Sequence, residues 1–111
     1  MTFAGNLPVG SKVRLMKANF DKLINASTKA AEESISEKNS PQLAILISCV
    51  GRKLVLQERT SEEVEAARKI FGDDTTITGF YSYGEISPFN PNTKCELHNQ
   101  TMTITTFTEA V

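Results

Sequence analysis

Side chains able to bind or react concentrate in two stretches, Gly79-Phe80-Tyr81-Ser82-Tyr83-Gly84-Glu85-Ile86-Ser87-Pro88 and Cys95-Glu96-Leu97-His98-Asn99-Gln100-Thr101. Counted back from the proline- and asparagine-rich loop between them, the two segments fall opposite each other in a hairpin. Asparagine and glutamate are poor strand formers, so placing them within strands has a local cost. Such violations are expected where a residue serves function rather than folding. Ser82, Tyr83, Gly84, Glu85, His98, Asn99 and Gln100 are therefore candidate ligand-binding residues. Their polar groups would orient a small polar molecule, and the glycine would let it approach the backbone. The competing reading is that Asn99 and Gln100 satisfy an irregular loop while Glu85 faces solvent.

A second candidate group is Cys49-Val50-Gly51-Arg52, which follows the apolar run Gln42 to Val50. It falls at the carboxyl end of an expected central strand, where ligand sites of α/β sheets gather. Gly51 permits close approach, and Arg52 offers a two-pronged donor for a carboxylate or phosphate. The alternative makes Cys49 a small buried hydrophobe and Arg52 a solvated charge.

Two more reactive readings fail on spacing. A nucleophile elbow requires glycine two residues before the serine, and Phe80 stands there before Ser82. Cys95, His98 and Cys49 offer three zinc ligands, whereas a structural zinc site takes four. No catalytic residue, metal or cofactor is expected, although an enzyme using Cys49 or Ser82 stays open as a third reading.

The whole chain narrows the classes further. Its 111 residues, 40% apolar and 23% charged, form one domain at most. A net charge of −1 with scattered basic residues disfavours nucleic acid. The longest apolar segment, Leu43 to Ile47, is far short of the about 20 residues that span a membrane. Met1 to Asn6 has neither the basic start nor the apolar stretch of a secretory signal. Two cysteines make no disulfide framework, so a reducing cytoplasm is the expected location. The fragmentary strands at the start suggest a piece of a longer protein.

The elements that must position these groups follow from periodicity. Phe3-Ala4 and Lys12 to Lys17 read as strands around a turn, Val13 and Leu15 sharing one face of the second. Asn19 caps a helix whose apolar stripe is Phe20, Leu23, Ile24, Ser27, Ala31 and Ile35, running to Glu37 and stopped by Asn39-Ser40-Pro41. Gln42 to Val50 reads as a strand buried on both faces. Leu54-Val55-Leu56 adds a helical turn. Thr60 and Glu63 form a capping box for a second helix, with Val64, Ala67, Ile70 and Phe71 inward and Gly72 ending it. Thr76 to Ile86 and Leu97 to Thr108 are the last strands. The expectation is an α/β (α+β) domain over residues 1–111: a mixed, largely antiparallel sheet of about five strands in the order ββαβαββ, with two helices packed on it.

At these same residues the chain resembles the FIST family. Gly79 to Pro88 and Glu96 to Thr106 look like the end of its C-terminal domain, and Cys49 to Leu56 like the segment before. Gly10 to Met16 is similar to the family's first strand in this region. The resemblance implies an intracellular sensory module for a small ligand, an amino acid or related metabolite, attached to signalling output domains. It covers the later part of that domain. Arg52 would then take the ligand's carboxylate and Glu85 its ammonium, with Ser82, Asn99 and Gln100 setting orientation. The competing function is a protein-interaction or homodimerisation module acting through an exposed sheet edge.

Overall fold

The computed structural model describes residues 2–3, 5–35, 40–90 and 92–109. The expected helix continuation to Glu37, its stop at Asn39, and the Ala4 end of the first strand fragment lie outside them. Helix α1 spans Phe20–Ser34, with the Asn19 side chain accepting from the Lys22 amide at 3.0 Å. Its buried residues are Ser27 and Ala31, on the expected stripe.

Strand β1, Leu43–Cys49, lies at the centre of a three-stranded sheet. It pairs in parallel with β2, Thr76–Ser82, and antiparallel with β5, Met102–Phe107. Ala44, Leu46 and Ser48 are buried toward the helices, while Leu43, Ile45 and Ile47 on the other face are only half covered. The run read as buried on both faces is thus buried on one, because the described helices all pack on that side.

Beyond Cys49 the chain turns into helix α2, Val50–Leu56, which includes the expected Leu54–Leu56 turn. A short 3-10 turn, Gln57–Arg59, leads into α3, Thr60–Phe71, which Gly72 ends at φ 79°. The capping box does not form. Thr60 is already helical and donates to the Gln57 carbonyl, while Glu63 points inward and is fully buried. Arg59 takes the surface role instead, bonding Glu62 at 2.8 Å and Asp21 at 2.9 Å. That guanidinium holds the Glu62 carboxyl below its ordinary range.

Ala31, Ala44, Leu46, Ala67 and Phe71 form the core, with Ile35, Ile70, Ile77, Met102 and Ile104 packed against it. Small residues on both helices let them lie close to the sheet and to each other.

The α+β class with five strands stands as expected, but the strands are distributed differently. Among the described residues Lys12 to Lys17 pairs with no strand, and it is exposed throughout. The two late strands each break at the level where β1 ends. Flanking β1, β2 and β5 cannot reach each other. Once β1 leaves as α2, the two chains meet and pair as a separate antiparallel ribbon of β3, Glu85–Pro88, and β4, Cys95–His98.

Candidate functional site

The break in the strands creates one polar cluster and the start of α2 anchors another. In the ribbon, Glu85 stands opposite His98, the register expected from the loop. Glu85 is 3% exposed, and accepts from the Ser82 hydroxyl at 2.5 Å and the Thr101 hydroxyl at 2.6 Å. It therefore ties the end of β2 to the start of β5 across the gap left by β1. The His98 Nε2 is 2.9 Å from the Ser87 carbonyl, bracing the ribbon.

The second cluster centres on Arg52 and Glu63, both essentially buried. Arg52 Nε donates to Glu63 Oε2 at 2.9 Å. Another nitrogen of the same guanidinium donates to the Leu23 carbonyl at 2.7 Å and the Ser27 hydroxyl at 2.8 Å, and the third reaches the Gln100 carbonyl at 3.4 Å. Glu63 Oε1 accepts from Ser48 at 3.1 Å and from the Tyr81 phenol at 2.8 Å. One ion pair thus joins α1, α2, α3, β1, β2 and the loop before β5. Gln100 holds φ 57°, with its side chain packed over Gly51, where a Cβ would stand 3.2 Å from Gln100 Cγ.

The structure therefore brings together Ser82, Glu85 and His98 in one cluster, and Gly51, Arg52 and Gln100 in the other. Gln100 and Thr101, adjacent in the chain, connect the two. Tyr83 is 91% exposed and takes part in neither. Gly84 packs under Leu97, Asn99 is exposed but engaged, and Cys49 is a buried free thiol at the end of β1. Arg52 and Glu85, expected as receptors for a ligand's charges, are both committed to internal partners.

Sequence reasoning missed Glu63, Ser48, Tyr81, Ser27 and Thr101. The available signal lay in periodicity: Glu63 falls on the same helical face as Ala66, Ala67 and Phe71, an acid on an inward stripe. Ser27 stands likewise on the stripe of α1.

Beside this second cluster a cavity of about 370 Å³ opens between β2 and α3. Leu46, Ile77, Met102 and Val64 give it apolar walls, and Ser48, Glu63 and Tyr81 form its polar end. Gly79 lines it with backbone alone. Lys53 stacks on the Tyr81 ring with its Nζ 5.2 Å from the centroid. The volume falls within the range of small-molecule sites.

Burial, then the hydrogen bond to Glu63, pushes the Tyr81 phenol above its ordinary value of about 10. A raised phenol pKa stabilises the fold fully below that ordinary value, and the contribution is lost as the pH climbs toward the folded one. Urea melts of the wild type and Tyr81→Phe should therefore differ by about 1–2 kcal/mol at neutral pH. The gap should shrink from about pH 10 upward. A gap that stays constant to pH 11.5, on that same phenol scale of about 10, contradicts the assignment.

The model of the FIST C domain matches residues 1–88, ending at the last residue of β3. No curated protein matches the chain, and no solved structure does.

Proposed function

Because this chain belongs to the FIST C domain family, a family of signal-transduction sensory modules, we propose that it is a ligand-sensing unit whose small molecule sits in the cavity between β2 and α3. The observation that carries this reading is the position of the polar end of that cavity. Ser48, Glu63 and Tyr81 are also members of the Arg52 cluster, so an occupant would press directly on the bonds that hold every helix to the sheet. Occupancy would then change how α1 and the Gln100 loop are held, which is what an output domain in the parent protein would read.

The finer expectation, an amino acid between Arg52 and Glu85, requires each residue to exchange internal partners for the ligand. The cavity asks for no such exchange. The sensor would work in the cytoplasm, carry no catalytic step and use no cofactor. An electrophilic thiol probe that labelled Cys49 rapidly in the folded protein would argue for the enzyme reading instead. Among the described residues, no helix is long and apolar enough to cross a membrane.

A thermal-shift and calorimetric panel of amino acids and small aromatic and aliphatic metabolites tests the site. Val64 is 42% exposed on the cavity rim, so Val64→Trp should fill the space without unfolding the chain. The expected result is a ligand that stabilises the wild type and binds the variant at least about tenfold more weakly, a loss of about 1.4 kcal/mol. A ligand that binds both equally lies elsewhere, and the cavity reading fails.

A second reading, association through a sheet edge, has its own support. Among the described residues the outer edge of β2 has no strand partner, β2 carries neither charge nor proline, and the ribbon exposes Ile86 and Leu97. Light scattering of the isolated chain distinguishes a homodimer from a monomer.

A further inference from the structure

The chemistry of the cavity's polar end restricts what it accepts, given the reading that this cavity is the ligand site. Two of its hydroxyls have spent their protons on Glu63: Ser48 at 3.1 Å and Tyr81 at 2.8 Å. A hydroxyl that has donated retains only acceptor capacity. Glu63 itself is fully buried behind them and already paired with Arg52 at 2.9 Å. Of the other lining residues, Leu46, Val64, Ile77, Phe80 and Met102 are apolar, Gly79 offers only backbone, and Thr78 carries a hydroxyl. By strand alternation Thr78 projects to the opposite face of the sheet from Ile77 and Tyr81.

Each charge class is disfavoured for its own reason. A carboxylate or phosphate would lose its hydration and find no cationic side chain among the lining residues. An ammonium would meet an acid whose charge Arg52 already balances, with the Lys53 cation lying on the Tyr81 ring outside. A neutral donor loses little hydration and gains one hydrogen bond, while its apolar body is buried.

We propose that the cavity takes an uncharged molecule with an apolar ring or chain and a single hydrogen-bond donor, which the Tyr81 oxygen accepts. Tyr81 is the accepting atom because it is half-buried, whereas Ser48 is almost wholly enclosed.

Calorimetric titration of the whole chain with indole, benzothiophene, indole-3-acetate and tryptamine tests this. The four share one ring shape. Benzothiophene lacks the N–H, and the last two add opposite charges. Indole should bind about fivefold more tightly than benzothiophene, the value of one hydrogen bond, and more tightly still than either charged compound. In Tyr81→Phe, indole and benzothiophene should bind alike, and in Val64→Trp neither should bind. Should Tyr81→Phe fail to fold, the indole and benzothiophene pair still measures the donor in the wild type.

Tighter binding of indole-3-acetate or tryptamine, abolished by Val64→Trp, would overturn the uncharged class while leaving the cavity as the site. Equal binding of indole and benzothiophene to the wild type would overturn the donor. No binding by any of the four would overturn the proposed ligand class, with the wider metabolite panel still deciding the sensor reading. Indole binding untouched by Val64→Trp would remove the cavity reading and this inference together.

Discussion

Arg52→Ala should destabilise the domain by about 3–5 kcal/mol, the cost of leaving a buried charge without its partner. Three separate attachments disappear with the guanidinium: Glu63 on α3, Leu23 and Ser27 on α1, and the Gln100 carbonyl before β5. Glu63 would keep Ser48 and Tyr81 as donors but lose its counter-charge while fully buried. A domain of ordinary stability, about 5–15 kcal/mol, would lose a large part of it. Arg52→Lys should recover little, because one ammonium cannot reach acceptors on three elements. The double variant Arg52→Met with Glu63→Met should cost less than the two single changes added together, since it removes both charges. Urea unfolding monitored by circular dichroism measures the wild type and each of these variants, the two methionine single changes included. An Arg52→Ala protein within about 1 kcal/mol of wild type would show that the cluster is not the junction of the fold.

The second large effect comes from a single methyl group. Gly79→Ala would place a Cβ 1.8 Å from the Leu46 carbonyl oxygen and 2.8 Å from its carbon. Both obstructing atoms are backbone at the middle of the β1–β2 pairing, where Leu46 stands opposite Gly79. No rotamer change relieves such a contact, so the strands must separate locally. The expected loss is about 3 kcal/mol or more, at the upper end of overpacking costs. Gly51→Ala is the control. There the nearest atom is Gln100 Cγ at 3.2 Å, part of a flexible side chain, and alanine is the better helix former inside α2. Its stability should stay within about 1 kcal/mol of wild type. Hydrogen exchange should show the β1 and β2 amides losing protection in Gly79→Ala alone. If both variants melt alike, the close approach of the two strands is wrong.

Local pattern was enough to locate α1, the central strand, the turn at Leu54–Leu56, the last helix and the ribbon register of Glu85 and His98. Each rests on near neighbours in the chain: a cap at Asn19, an apolar run, a glycine at 72, a proline-rich loop. Lys12 to Lys17 has the alternation of a strand but finds no partner among the described residues. Alternation by itself does not place a strand; packing against cross-strand neighbours has to favour it. The capping box failed for a similar reason. Glu63 was offered a local bond to the backbone, yet Arg52, Ser48 and Tyr81 offered three stronger ones from elsewhere.

What the amino-acid order determined by itself is therefore the identity and sequence of the elements, and the polar character of the two stretches around Glu85 and Asn99. Tertiary structure decided which of those polar groups are free. It buried Arg52 and Glu85 among internal partners, because a charge taken out of water must be paired where it lies. It also made the cavity, which belongs to no single segment. Its walls come from β1, β2, β5 and α3, which only the packing of α3 on the sheet brings together.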